Sequence, residues 1–148
     1  MPENYHPKIC KIITFIFALI YENTYKVHGL WPNSCSECIQ CGYPTCCQKV
    51  NFNDTIRDIK FIENYWLDGL KNNKHIECNL TMDNLYKYEF VKHGSCMDSD
   101  INNYINTVSK IYYQYENQFD KLCKNQTNCN LIMNSNYEIT NITFDVII

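Results

Sequence analysis

Ten cysteines in a chain of 148 residues constrain the fold more than any other feature. In an oxidising compartment an even count reads as a disulfide framework, and ten cysteines make at most five pairs. The same count in the cytosol points to metal. Spacing alone leaves both readings open. Cys35, Cys38 and Cys41 stand at intervals that suit a zinc site, and Cys46 and Cys47 follow closely. The rival is a loop stapled by disulfides. Cys123 and Cys129 flank a short loop and are placed to pair locally. Sequons for N-glycosylation at Asn53, Asn79, Asn125 and Asn141 agree with a secretory route, although a chain so rich in Asn produces some by chance.

The length is that of one domain, expected to span residues 1–148. Hydrophobic residues make up 45% of the chain, which excludes a disordered polymer. No apolar run reaches about 18 residues, so no membrane span is expected. The formal net charge is −3. A protein that holds nucleic acid mainly by neutralising phosphates carries a basic face. The composition therefore excludes a tight, general nucleic-acid binder. It permits an enzyme that holds a short stretch of substrate and lets go.

Along the chain, Lys8 and Lys11 precede the apolar run Ile12 to Tyr21. This pattern suits either a signal peptide within residues 1–21 or a first core strand. Tyr25 to His28 alternates and then meets Gly29, which predicts a strand ending at His28. Residues 32–47 read as loop. Helical spacing runs from Asn53 to Lys71, with Asp54 as a candidate cap. A second helix is predicted from Asp83, as N-cap, to His93, with Gly94 as its stop. Residues 101–122 predict a third helix whose Tyr/Ile stripe reads as packing. Tyr137 to Ile148 alternates and predicts a strand.

Two short stretches carry the chemistry: His28-Gly29-Leu30-Trp31-Pro32 and Glu89-Phe90-Val91-Lys92-His93-Gly94-Ser95-Cys96. On a helix, Glu89 lies three residues from Lys92 and four from His93, so the three project to adjoining positions. Two histidines, a carboxylate and an ammonium suffice to break a phosphodiester without metal. One imidazole takes a proton from a ribose 2′-hydroxyl and the other protonates the leaving oxygen. The cation and carboxyl steady the charge on phosphorus oxygens. The helix C-terminus and Glu89 both predict a raised pKa for His93.

These stretches resemble the two active-site segments of the ribonuclease T2 family, secreted or endomembrane acid endoribonucleases. The first matches the family pattern throughout. In the second, Glu89, Lys92, His93, Gly94 and Cys96 are identical to it, and Leu85, Tyr86, Phe90 and Ser95 are near-equivalents. Tyr88 departs from it, standing where the family usually has a third histidine. The likeness covers residues 25 to 115, in a chain short for the family.

The resemblance implies an α+β fold, disulfide-rich, with helices packed on a mainly antiparallel sheet. It implies an endoribonuclease that cleaves single-stranded RNA through a 2′,3′-cyclic phosphate, with His93 as base and His28 as acid. Glu89 and Lys92 would stabilise the transition state. Trp31, Asn33 and Tyr43 would surround a base, and Tyr88 would meet phosphate as a hydrogen-bond donor without positive charge. Cys96 would pair with Cys46 or Cys47, while Cys10 and Cys78 lie where other family bridges need partners. No metal or cofactor is implied. DNA, lacking the 2′-hydroxyl, is not expected as a substrate, and a monomer in an extracellular or lysosome- or vacuole-like space is expected. Two other functions stay open. One is a catalytically weak member acting as an RNA-binding or interaction protein. The other is a cytosolic zinc module built on Cys35 to Cys47.

Overall fold

Strand β1, Ile12–Glu22, shows why the first apolar run has no polar face. It lies between two neighbours in a four-stranded antiparallel sheet ordered β2-β1-β5-β6. Phe15, Phe17 and Leu19 join the main core, while Ile16 and Ala18 form a small cluster with Trp31. With both faces covered, alternation disappears from the sequence. The run is therefore a core strand in this structure. The structure, a computed structural model, describes residues 12–35, 45–50, 52, 55–68, 75–97 and 100–146.

The other strands are β2 (Thr24–Cys35), β3 (His75–Glu77), β4 (Leu80–Met82), β5 (Asn128–Asn134) and β6 (Ile139–Thr143). The short strands β3 and β4 form a separate hairpin. The helices are α1 (Ile59–Tyr65), α2 (Leu85–Lys92), α3 (Ile101–Tyr115) and α4 (Phe119–Cys123). This is the α+β class expected, with helices packed on an antiparallel sheet. Among the described residues no helix is long and apolar enough to cross a membrane.

Several boundaries differ from expectation for identifiable reasons. β2 does not end at His28 but continues through Gly29 and Pro32 to Cys35. Proline is tolerated because β2 is an edge strand, where one missing N–H removes no ladder bond. α1 starts at Ile59, capped by Asp58, whose side chain accepts from the Phe61 N–H. The predicted cap Asp54 lies outside the described residues. α2 has Asn84, not Asp83, as N-cap, and a 3₁₀ turn over Gly94–Cys96 follows it. The third predicted helix is broken after Tyr115 by a 3₁₀ turn over Glu116–Gln118. Asp100 caps α3 by accepting from the Asn102 N–H.

The main core draws Phe17, Val27 and Leu30 from the sheet, with Phe61, Phe90, Tyr104 and Val108 from the helices. Three disulfides brace the described residues: Cys46–Cys78, Cys47–Cys96 and Cys123–Cys129. The first two tie adjacent residues of one loop to β3's end and to the turn after α2. Cys10, Cys38 and Cys41 lie outside the described residues.

Candidate active site

β2 and α2 meet at a buried carboxylate. The β1–β2 register pairs Ala18 with Gly29 but Leu19 with Val27, so His28 is the extra residue of a β-bulge. A bulge re-aims a side chain out of the pleat's alternation. It points the His28 Nε2 to Glu89 Oε1 at 3.2 Å. Past the bulge, Leu30 enters the main core and Trp31 takes the opposite face. The Trp31 indole N–H donates to Glu89 Oε2 at 2.5 Å.

α2 supplies the other side. Glu89, Lys92 and the C-cap residue His93 occupy its last turn. Glu89 is 2% exposed, and His93 Nε2 lies 3.8 Å from Glu89 Oε2. Glu89 thus lies between both histidines and the indole. Gly29 makes the approach possible, because a Cβ there would sit 2.6 Å from Trp31 Nε1 and 2.8 Å from Glu89 Oε2. Gly94 plays the same part behind His93, where a Cβ would meet the Phe90 and Tyr104 rings under 3 Å.

The electrostatics correct one expectation. The His93 imidazole is held well below its usual range, not above it. Burial is the largest cause, followed by the charges of Lys92 and His28. The helix terminus does not offset this in a ring that is only 5% exposed. Burial therefore favours the neutral, proton-accepting form of His93. His28 remains 26% exposed and reachable.

Lys92 turns from Glu89 towards Tyr88. Its ammonium donates to the Tyr88 hydroxyl at 3.4 Å, and that hydroxyl donates to Glu77 Oε2 at 3.5 Å. Burial raises the phenol's pKa, partly opposed by Lys92, so Tyr88 stays a neutral donor. Of the expected base-pocket residues, Trp31 is 4% exposed, its ring against His28 and His93, and offers no open face for stacking. Asn33 is partly exposed and its amide donates to Thr14 Oγ1. Tyr43 lies outside the described residues.

Four supports carried no sequence signal of their role. The Tyr104 hydroxyl donates to the Leu30 carbonyl at 3.0 Å and accepts from the Leu30 N–H at 3.1 Å. It thereby serves the open edge of β2 as a neighbouring strand would. The Trp66 indole donates to the His28 carbonyl. Glu77 ends the Lys92–Tyr88 chain. Ser95 accepts from the Cys47 N–H and donates to the Val91 carbonyl. The Cys46 N–H meets the Lys92 carbonyl, satisfying one of the last free acceptors of α2. Among the described residues, Cys46, Glu77 and Cys78 come closest to a metal cluster. The two sulfurs are bonded to each other, which leaves no thiolate to ligate an ion.

A buried carboxylate between two imidazoles, on a disulfide-braced α+β scaffold, is an arrangement that can carry proton transfer. A family model described as the Ribonuclease T2 family matches residues 3–144, and the chain belongs to that family. Membership supports a ribonuclease-type function with RNA as substrate. Among solved structures, an RNase-related protein from Calystegia sepium is similar, with a TM-score of 0.66 and 13% identity. The match covers 88% of this chain and 90% of that one, and shows the shared fold. No curated protein matches the chain.

Proposed function

We propose that the chain is an endoribonuclease that cleaves single-stranded RNA without metal or other cofactor. The observation that carries this reading is Glu89 lying between two histidines, one buried so that its pKa is pushed down, the other open to solvent. His93 takes the proton from the 2′-hydroxyl, and the 2′-oxygen attacks phosphorus. His28 gives its proton to the departing 5′-oxygen, which leaves a 2′,3′-cyclic phosphate. In the hydrolytic step the roles exchange: His28 takes a proton from water and His93 returns one to the 2′-oxygen. Lys92 stabilises the charge on the phosphorus oxygens, and Tyr88 adds a hydrogen bond there. Glu89 orients His28 and lies beside His93. Asn33 and Tyr43 border the base.

Residues 1–148 act as one domain and one monomer, in the extracellular space or an endomembrane lumen. The disulfides support that location, as do exposed sequon residues Asn79, Asn125 and Asn141. A second reading is a catalytically weak member that binds RNA or a partner. Tyr88 favours it, since no third histidine stands at the phosphate.

Turnover of RNA at acidic pH in the presence of a chelator, with purified oxidised protein, separates the two. The enzyme reading expects cyclic phosphate ends and intact DNA. Dependence on magnesium, or equal cleavage of DNA, overturns it.

A further inference from the structure

We propose that Trp31 is a positioning residue, whose indole N–H divides the Glu89 carboxylate between the two histidines. Its kinetic consequences rest on the endoribonuclease reading above; its geometry does not.

Trp31 is placed for the site more than for the core. Its neighbour Leu30 joins the main cluster, while among the described residues Trp31 belongs to the small apolar cluster with Ile16, Ala18 and Ile132. Its ring stands edge-on to His28, centroids 5.1 Å apart, and tilts against His93 at 5.2 Å. An indole has one donor and no acceptor. That donor goes to Glu89 Oε2. The same oxygen is the one nearest His93, whose Nε2 stays at 3.8 Å, outside hydrogen-bond distance. Oε1 is left to His28 at 3.2 Å. Trp31 thus occupies the oxygen that would otherwise hold His93 in its charged form. The acid takes the nearer carboxylate oxygen at 3.2 Å, and the base stands farther off at 3.8 Å. Among the described residues, the charged and titratable groups that act on His93 include Glu89 and Lys92 on α2 and His28 on β2. Tyr104 of α3 lies behind Gly94 and is held neutral by burial.

Trp31→Phe keeps an aromatic ring and removes the donor. The freed Oε2 should close on His93 and favour its protonated form. We expect kcat to fall about tenfold or more with KM unchanged, the scale of one charge-assisted hydrogen bond. The acid limb of kcat/KM should move to higher pH. By NMR, the His93 ring protons should titrate at higher pH than in the native protein. The chain has two tryptophans, so Trp31→Phe also assigns the Trp31 indole N–H signal, which Glu89→Gln should shift. An unchanged His93 titration with an unchanged acid limb overturns the proposal. If Trp31→Phe does not fold, the Trp66→Phe variant assigns the signal, and its indifference to Glu89→Gln overturns it equally. A native protein that cleaves no RNA would refute the endoribonuclease reading, while the NMR comparison still decides the role of Trp31.

Discussion

Tyr104→Phe removes one oxygen atom and should loosen strand β2, which carries His28. The hydroxyl is fully buried and makes two bonds to a single residue, Leu30, between Gly29 and Trp31. Phenylalanine keeps the ring against Phe90 and Trp66, so no cavity opens beyond the oxygen itself. The loss leaves one N–H and one C=O without partners in a dry environment. Each such group costs about 1–3 kcal/mol, so about 2–6 kcal/mol of stability should go. For a chain of this size that lowers Tm by about 5–15 °C. Tyr112→Phe is the internal comparison, because its hydroxyl donates to one backbone carbonyl, that of Tyr25, remote from the site. It should cost about 1 kcal/mol and leave kcat alone. Urea denaturation at fixed pH measures both, and RNA turnover below the melting range measures the catalytic effect. A loss under about 0.5 kcal/mol for Tyr104→Phe, or equal losses in both variants with equal activity, would refute the edge-strand role of Tyr104.

Three further outcomes follow from the same geometry. Because the folded pKa of His93 lies well below that of the unfolded chain, the unfolded state binds its proton first, and stability should fall as pH drops below about 6.5; a denaturation series from pH 4 to 7 should show a shallower slope for His93→Gln, and identical slopes would contradict the buried neutral ring. Tyr88→His places a cation at the proposed phosphate site in acid and frees Lys92 from the phenol, so kcat/KM at pH 4–6 should rise by up to about tenfold and the gain should fade above pH 7; an unchanged profile would mean that position 88 does not meet phosphate. Breaking Cys47–Cys96 by Cys47→Ser with Cys96→Ser should cost about 2–5 kcal/mol and free the turn after His93, read as lowered Tm and lost turnover; native stability in that variant would remove the bridge from the account of the site.

The sequence alone carried whatever depends on neighbours along the chain. Helical spacing placed Glu89 and His93 on one turn, and the apolar stripe of α3 marked its core face. The short loop between Cys123 and Cys129 suggested a local pair, which the structure contains. The motif residues pointed to the family, because their types and order are specific, and the family match agrees. Strand register and bulges depend on partners distant in the chain, so they were not legible. β5 went unrecognised, although it lies beside β1 in the sheet, because its Asn residues at positions 128, 130 and 134 disguise a strand. The extra residue at His28 exists only relative to Ala18 and Leu19 on β1. Gly29 and Pro32 read as turn residues, yet an edge position makes both compatible with strand. The fall in the His93 pKa comes from burial, which overturns the local argument from helix end and carboxylate. The tyrosine at 104 reads as one more member of a packing stripe. Only tertiary packing brings its hydroxyl to the Leu30 backbone, 74 residues away in sequence, where the open edge of β2 needs a partner.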